Sequence, residues 1–311
     1  MRALVFTGPS VLELQDVPEP LVAGDEVLVH VRSAGICGSE LHGARTPGFR
    51  TPPLIMGHEF AGVTDGGDAV IVNPILSCAE CDLCRGGLRH VCRQRRIIGV
   101  HRAGGFAERV AVPASALRPL PDGMSWTEAA LVEPAANAMH AWNLAGAPSG
   151  ARVAVLGCGP IGLLCLLTAQ AGAAARVDVT DLSPGRAAEA LRLGADSAAA
   201  ALEEEYDVIF DAVGSAGTRA QSVGHQRPGG VAVWLGLAEP DPGFDAAGLV
   251  RGEKRVLGSF AYSDEEFAAT ARRLGEWDLG WADRFPLSAG AEVFTGLMNG
   301  AAHPIKALLT P

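Results

Sequence analysis

The sequence predicts an α/β protein in which a β-rich domain precedes a doubly wound parallel sheet. Residues 1 to about 120 contain short runs rich in β-formers, such as VLVHV, AVIVN and ERVAV, which Gly and Pro separate. This pattern is typical of an irregular, mostly antiparallel sheet. From residue 151 onward, apolar strand-like runs alternate with helical segments. Such alternation indicates a parallel sheet covered by helices on both faces.

The elements of the second half follow in order. Residues 126–145 have helical apolar spacing, and Ser125 with Glu128 forms a plausible capping box. A strand over 153–156 then leads into a Gly-rich turn and an apolar helix. The next strand ends at Asp181, and a helix follows with Ser183 as its N-cap. Further strands are expected at YDVIFDAV, GGVAVWLGL and RVLGSF.

Composition excludes some partners. The 311 residues carry a net charge of −10 and no basic tract, so nucleic acid is not an expected partner. No apolar run approaches the ~18 residues of a membrane span, so no membrane association is expected. The first residues lack the order of a signal peptide. We therefore expect a cytoplasmic protein.

Four closely spaced cysteines predict a structural metal site. Cys78, Cys81, Cys84 and Cys92 have the spacing Cys-x2-Cys-x2-Cys-x7-Cys. Four thiolates on a short loop can close a tetrahedral shell around zinc with no open position. An iron–sulfur cluster and a redox-active Cys-x-x-Cys pair are the alternatives. The ferredoxin run has its fourth Cys after three residues, followed by Pro, and a redox pair needs a thioredoxin-like unit. We favour zinc, and a closed site leaves the chemistry to other residues.

A dinucleotide-binding motif lies between the two predicted strands. It reads Gly157-Cys158-Gly159-Pro160-Ile161-Gly162, and Asp181 follows 19 positions after its last Gly. The glycines permit a tight turn, a close approach to pyrophosphate and close packing of helix on strand. Asp181 can accept hydrogen bonds from ribose hydroxyls and would repel a 2′-phosphate, which favours NAD. Arg186 could pack on the adenine or tolerate a phosphate. The alternative is an ordinary αβ turn with Asp181 as a surface cap.

A second candidate metal site comes from GICGSELH (35–42) and MGHEFAG (56–62). These stretches offer Cys37, His58 and Glu59, which together are a ligand set for a catalytic zinc. By spacing alone, Cys37 could equally be a buried small side chain and His58 a core histidine.

In its motifs and in their order along the sequence, the chain resembles the zinc-dependent medium-chain dehydrogenases/reductases, the alcohol dehydrogenase family. The likeness is strongest to their sorbitol (polyol) and threonine dehydrogenase branches. The resemblance covers essentially the whole chain. It rests on the dinucleotide motif, the four-cysteine loop and the stretches GICGSELH, GHEFAG, GGFAERVAVP and LVEPAANAMHA. It implies a GroES-like catalytic domain over 1–125 and 264–311, with the structural-zinc lobe at 78–92. It also implies a Rossmann NAD-binding domain over 126–263 and an active site in the cleft between the domains.

The resemblance also implies roles for single residues. Cys37, His58 and Glu59 match the catalytic-zinc ligands, and Glu133 matches a residue that ligates zinc or binds its water. Ser39 and His42 match the proton relay, although His42 could be a plain surface residue and Glu133 a carboxylate favoured near a helix N-terminus. Phe106 and Tyr262 are candidate substrate-pocket residues.

Three departures from the family pattern are visible. The hairpin after GHEFAGV is shortened to VTDGGDAVIV. Glu40 stands where the family mostly has Asp, and Ala261 stands where sorbitol dehydrogenases have a substrate-binding Arg. The last difference weakens sorbitol itself as the substrate.

The resulting functional hypothesis is an enzyme with two zinc ions per chain that transfers a hydride between NAD and a secondary alcohol or ketone. The substrate is expected to be a small polyol, cyclitol or amino alcohol, and the assembly a homodimer or homotetramer. An NADPH-dependent biosynthetic ketone or imine reductase is the enzymatic alternative. A catalytically silent nucleotide-binding subunit is a further alternative, but it would be expected to lack metal ligands or relay residues.

Overall fold

The protein divides into two compact units in the computed structural model, which describes residues 1–46, 50–239, 244–301 and 303–311. Unit 1 consists of Met1–Glu133 and Ser263–Pro311, and unit 2 consists of Pro134–Tyr262. The division after residue 133 lies within a helix that begins at Trp126. It therefore falls later than the expected boundary at 125/126.

The strands of the described residues, in chain order, are β1 (Arg2–Gly8), β2 (Val11–Asp16), β3 (Glu26–Gly35), β4 (Leu54–Ile55), β5 (Glu59–Thr64), β6 (Ala69–Val72), β7 (Ile75–Leu76), β8 (Arg96–Ile97), β9 (Arg109–Pro113), β10 (Leu117–Pro119), β11 (Arg152–Leu156), β12 (Arg176–Thr180), β13 (Ser197–Ala199), β14 (Tyr206–Asp211), β15 (Gln226–Trp234), β16 (Arg255–Gly258), β17 (Ala282–Pro286) and β18 (Lys306–Thr310). The α-helices are α1 (Gly38–Arg45), α2 (Asp82–Arg85), α3 (Trp126–Ala145), α4 (Pro160–Ala171), α5 (Pro184–Arg192), α6 (Ala216–Gly224), α7 (Ala246–Arg251), α8 (Asp264–Arg273) and α9 (Gly290–Met298).

Unit 1 is built around the long strand β3. The main sheet has the order β10-β6-β5-β3-β18-β17, and β9 also pairs with β3. The pairs that β3 makes with β5, β9 and β18 are antiparallel, whereas β17 and β18 are parallel. The register places Gly35 at the end of β3 opposite both Glu59 and Leu308. Three segments that are distant in sequence therefore meet at this end of the sheet.

The hairpin between β5 and β6 is short, as its sequence indicates. Residues 65–68 join the two strands, and the Thr64 N–H donates to the Asp68 carbonyl at 2.9 Å. Ala61 and Ile71 still pair across the hairpin. β5, which begins within GHEF, therefore keeps its pairing with β6 without a longer hairpin.

Unit 2 contains a six-stranded sheet in which every pair is parallel. The strand order is β13-β12-β11-β14-β15-β16. The order reverses direction between β11 and β14, and parallel α/β sheets bind ligands outside the carboxyl ends of the strands at such a point. The expected doubly wound sheet is confirmed.

The predicted helix starts are confirmed. The Ser125 N–H donates to the Glu128 carboxylate at 2.6 Å, and the Glu128 N–H donates to the Ser125 hydroxyl at 3.3 Å. Ser183 caps α5 by accepting from the Arg186 N–H. In the described ranges, no helix combines the length and the apolar character that a membrane crossing requires.

Candidate active site and metal sites

The candidate catalytic metal site lies where the ends of β3 and β5 meet the start of α1. Cys37 is the N-cap of α1, His58 precedes β5 and Glu59 is its first residue. One ligand atom from each of these residues lies within 4.8 Å of the other two. A thiolate, an imidazole and a carboxylate that converge in this way fit a zinc ion with room for a further ligand. The structure thus brings together the three side chains that the sequence singled out.

Glu40 orients the imidazole of His58. The Glu40 side chain is fully buried, and its Oε1 accepts from His58 Nδ1 at 3.0 Å and from the Gly57 N–H at 2.8 Å. Its Oε2 accepts from the Cys37 N–H at 3.0 Å. A carboxylate only accepts hydrogen bonds, so Nδ1 carries the proton and Nε2 is left to bind metal. The glutamate therefore reaches His58 despite the extra methylene noted in the sequence.

The charges around His58 favour a cation at this position. Burial alone would lower the pKa of His58, but Glu40 and Cys37 hold that pKa well above its ordinary value. Burial alone would raise the pKa of Glu40, but His58 and Arg50 hold it below its ordinary value. A site that stabilises a charged imidazole also stabilises a metal ion in the same place.

Lys306 is a member of this site that the sequence analysis missed. Its side chain is buried, and its ammonium group donates to Glu59 Oε2 and to the Ile36 carbonyl, the latter at 2.9 Å. Burial alone would lower the pKa of Lys306, and Glu59 and Cys37 raise it above its ordinary value. A side chain at Gly35 would overlap the Glu59 carboxylate, so glycine makes room for the pair. The signal in the sequence was a lysine inside the apolar run IKALL.

Arg50 is a second buried cation that sequence reasoning missed. It is 4% exposed, and it donates to the Gly99 carbonyl at 3.2 Å and to the Ser39 carbonyl at 3.4 Å. Gly99 packs on the Gly57 carbonyl, which a side chain at Gly99 would overlap. Arg50 thus links the first turn of α1 to the segment that carries His58.

The two relay candidates lie on α1. The Ser39 hydroxyl donates to Cys37 Sγ at 3.3 Å, and both Ser39 and His42 are exposed. Residues three positions apart lie on the same side of a helix, so the two side chains are neighbours. Their geometry suits the transfer of a proton away from the metal site, and the relay role stays a prediction.

Three other candidates are placed differently. In the described part of the chain, the group of convergent donor atoms contains Cys37, His58 and Glu59 and does not include Glu133, which is buried within α3. Phe106 is fully buried and packs against Gly57, and Tyr262 is 1% exposed. Phe106 belongs to the hydrophobic core of unit 1, and the pocket role of both aromatic residues stays a prediction.

The four-cysteine loop forms a compact tetrad. Cys78 Sγ lies 3.8 Å from Cys84 Sγ and 3.5 Å from Cys92 Sγ, and Cys81 Sγ lies 3.9 Å from Cys92 Sγ. A tetrahedron of zinc–sulfur bonds of about 2.3 Å has edges of about 3.8 Å. All four thiols are free of disulfides. The loop therefore fits a single ion held by four sulfurs.

Backbone groups prepare this loop for metal binding. The Cys78 N–H, and less strongly the Gln94 N–H, stabilise the thiolate of Cys92. Burial opposes this effect, and the net result is that the pKa of Cys92 falls to about 6. Burial and the neighbouring sulfurs raise the pKa of Cys84 to about 11. Metal binding requires deprotonated thiols, so filling the site releases protons.

The Gly-rich motif forms the turn between β11 and α4. Gly157 has φ +92°, which favours glycine, and a side chain at Gly162 would overlap the Gly157 carbonyl. Gly159 has an ordinary φ of −72°, and a side chain there would meet no described atom within 4 Å. Glycine at 159 therefore serves close approach to the helix N-terminus, as a bound pyrophosphate requires. Pro160 begins α4, and Ile161 is partly buried in its first turn.

Asp181 is held by the same turn. Its Oδ2 accepts from the Cys158 N–H and its Oδ1 from the Ser183 N–H, each at 2.7 Å. Each carboxylate oxygen keeps a further acceptor position, so ribose hydroxyls can still bind. Arg186 is partly buried, and its Nε has no hydrogen-bond partner in the described ranges.

Comparison with known proteins places this geometry in a family. The sequence model of the alcohol dehydrogenase GroES-like domain matches residues 23–122, and that of the zinc-binding dehydrogenase domain matches residues 160–276. L-galactonate-5-dehydrogenase of Escherichia coli (strain K12) is 31% identical over 339 aligned positions, which cover 100% of this chain and 99% of that protein. L-threonine 3-dehydrogenase of Chelativorans sp. (strain BNC1) is 35% identical and covers 76% of this chain and 77% of its own length.

A solved structure extends the likeness to the whole fold. The structure of a zinc-binding dehydrogenase from Sinorhizobium meliloti 1021 bound to NADP superposes with a TM-score of 0.93 and 28% identity, over 100% of this chain and 99% of that one. The β-rich unit 1 is thus the GroES-like domain, and unit 2 is the Rossmann domain. The chain belongs to the zinc-dependent medium-chain dehydrogenases/reductases, the alcohol dehydrogenase family.

Proposed function

We propose that the protein catalyses NAD-linked interconversion of a secondary alcohol and its ketone, with a polyol, cyclitol or amino alcohol as substrate. The observation that carries the proposal is the convergence of Cys37, His58 and Glu59, with the Ser39 hydroxyl 3.3 Å from Cys37 Sγ. The relatives named for L-galactonate and L-threonine both act on alcohols that bear further polar groups, which supports the substrate class.

The chain's own residues supply a proton path and an electrostatic setting. Zinc bound to Cys37, His58 and Glu59 would act as a Lewis acid that lowers the pKa of a substrate hydroxyl. Ser39 accepts the hydroxyl proton, and the exposed imidazole of His42 passes protons to solvent. Glu40 keeps His58 in its metal-binding tautomer, and Lys306 holds the Glu59 carboxylate in place. Glu133 is proposed as an additional carboxylate for the metal or its water.

NAD is the proposed cofactor because Asp181 places a negative charge at the end of β12. The Asp181 carboxylate accepts two short backbone hydrogen bonds, so its position is fixed, and it would repel a 2′-phosphate. The Asp181→Ala variant should lose affinity for NAD about tenfold while its affinity for NADP is unchanged or improved. Equal effects on the two nucleotides would contradict this assignment.

An NADPH-dependent reductase is the second candidate. It is favoured by Arg186, whose buried Nε has no described partner and could meet a phosphate, and by the NADP bound in the Sinorhizobium structure. Comparison of kcat/KM for NADH and NADPH in ketone reduction separates the two candidates. A preference for NADPH would put the reductase first.

The direct test is nucleotide reduction by the zinc-replete protein across polyols, cyclitols, amino alcohols and simple secondary alcohols, followed at 340 nm. Cys37→Ser is the matched control, since it should abolish turnover and still bind nucleotide. Two zinc ions per chain are expected by elemental analysis, and a homodimer or homotetramer by sedimentation velocity. The proposal would be contradicted if no alcohol of the panel reduced the nucleotide and no corresponding ketone oxidised the reduced nucleotide, with both zinc sites filled.

A further inference from the structure

A buried arginine in unit 2 lies at the carboxyl ends of β14 and β15, in the half of the sheet beyond the strand-order reversal. Arg219, on α6, is 7% exposed. Its Nη1 is 3.4 Å from Asp211 Oδ2, and its Nη2 donates to the Gly236 carbonyl at 2.6 Å. Its guanidinium carbon is 4.1 Å from the centre of the Trp234 ring, which is cation–π distance. One side chain therefore contacts the carboxyl ends of both β14 and β15.

Asp211, the last residue of β14, fixes the loop that follows it. The side chain is fully buried, and its Oδ1 accepts from the N–H groups of Val213 at 3.0 Å and Gly214 at 2.8 Å. Its Oδ2 accepts from the Thr218 hydroxyl at 3.2 Å. The Asp211 carbonyl also accepts from the Gly236 N–H at 2.9 Å. Asp211 thus binds the N–H of Gly236, and Arg219 binds its carbonyl.

The loops after three neighbouring strands are packed against one another. The Glu239 N–H donates to the Gly214 carbonyl at 3.0 Å, and a side chain at Gly214 would overlap the Gly236 carbonyl. A side chain at Gly157 would overlap the side chain of Val213. Residues 213–214 are therefore held against Gly236 on one side and lie beside the dinucleotide turn on the other.

The two halves of a doubly wound sheet each receive one mononucleotide. The half formed by β11, β12 and β13 carries the Gly157 turn and Asp181, which suit the adenosine part. The half formed by β14, β15 and β16 carries the loops held by Arg219. We propose that Arg219 and Asp211 are a positioning pair that fixes the loops receiving the nicotinamide half of the dinucleotide. This inference rests on the proposed function.

The variants that test this pair differ in what they remove. Arg219→Met keeps an unbranched side chain over Trp234 and removes both the charge and the hydrogen bond to Gly236. Arg219→Lys keeps the charge but lacks the planar fork that contacts Asp211 and Gly236 together. The control is Arg227→Met, because Arg227 pairs with Asp207 at the opposite end of β14.

The experiment measures Kd for NADH by fluorescence and for ADP-ribose by calorimetry, with the zinc-replete full chain. In Arg219→Met we expect Kd for NADH to rise about tenfold or more and Kd for ADP-ribose to stay within about twofold. ADP-ribose lacks the nicotinamide ring, so a general loss of structure would weaken both ligands together. Arg219→Lys should lie between the parent and Arg219→Met, and Arg227→Met should match the parent for both ligands.

Two results would overturn the inference: an unchanged Kd for NADH in folded Arg219→Met, or equal weakening of NADH and ADP-ribose. If Arg219→Met does not fold, the same two Kd values for Arg219→Lys decide. A parent protein that binds neither NADH nor NADPH would instead refute the proposed function. Failure of the positioning pair and failure of the proposed function are thus separate outcomes.

Discussion

Lys306 and Glu59 form a buried ion pair between the last strand of unit 1 and the metal-binding end of β5, with each side chain 1% exposed. The two residues are 247 positions apart in the sequence. The ammonium group also donates to the Ile36 carbonyl, so its position is set from two directions. The Lys306 ammonium group is a buried cationic partner for the Glu59 carboxylate beside Cys37 and His58.

Removal of this ammonium group should destabilise the protein. In Lys306→Met the buried Glu59 carboxyl group loses its ammonium partner, and the expected loss is about 3–5 kcal/mol in the free energy of unfolding, measured by urea denaturation. Lys254→Met is the control, because Lys254 is the other lysine of the sequence and donates to the carbonyls of Val223 and Gly224. Equal effects of the two substitutions would contradict a special role for Lys306.

Shortening Glu40 should weaken metal binding. In Glu40→Asp the carboxylate retracts by about one C–C bond and loses its hold on His58 or Gly57, so zinc affinity should fall by roughly 10–100-fold. Competition with a chromophoric chelator measures that affinity. Glu108→Asp makes the same change at a carboxylate bound to Arg2, and its zinc affinity should be unchanged. If Glu40→Asp binds zinc as tightly as the parent, the orienting role of Glu40 is wrong.

The cysteine tetrad should contribute to stability rather than to chemistry. Cys92→Ser removes one of four thiolates, and we expect it to lower the zinc content by one ion per chain and to lower the Tm. Calorimetry and elemental analysis measure the two quantities. Cys165→Ala removes a buried thiol outside both metal groups and should keep the full zinc content. A Cys92→Ser protein with parental Tm and zinc would show that the tetrad holds no structural ion.

Cys165 should also make the fold sensitive to alkali. Burial raises the pKa of its thiol from 9.0 to about 12 in the folded protein. Between these pH values the unfolded chain loses this proton and the folded protein keeps it, so stability falls as pH rises from about 9 to about 12. The expected contribution is about 1.4 kcal/mol per pH unit. Cys165→Ala should lose stability less steeply over pH 9–11 in denaturant titrations, and identical slopes would refute the assignment.

The sequence predicted those parts of the site that local patterns encode. The cysteine tetrad follows from spacing on one loop, and the dinucleotide turn follows from a strand, three glycines and a downstream acid. The catalytic ligand set could not be predicted from spacing alone. Cys37 and His58 were identified as metal ligands only through the resemblance to a known family. Lys306, Arg50 and the pair of Arg219 with Asp211 were missed because each depends on contacts that sequence spacing does not reveal. The burial of Phe106 and Tyr262 likewise depends on three-dimensional packing.

Unit 1 draws its strands from both ends of the chain, whereas unit 2 is one continuous stretch. A ribosome therefore delivers all of unit 2 before β18 emerges. Until then, the nascent chain carries Glu59 without its ammonium partner, and β3 lacks the strand that pairs with Ala34 and Gly35. The end of the sheet that carries Glu59 is thus completed only after unit 2 has been made. Chain order therefore delays assembly of the proposed catalytic centre until β18 is available.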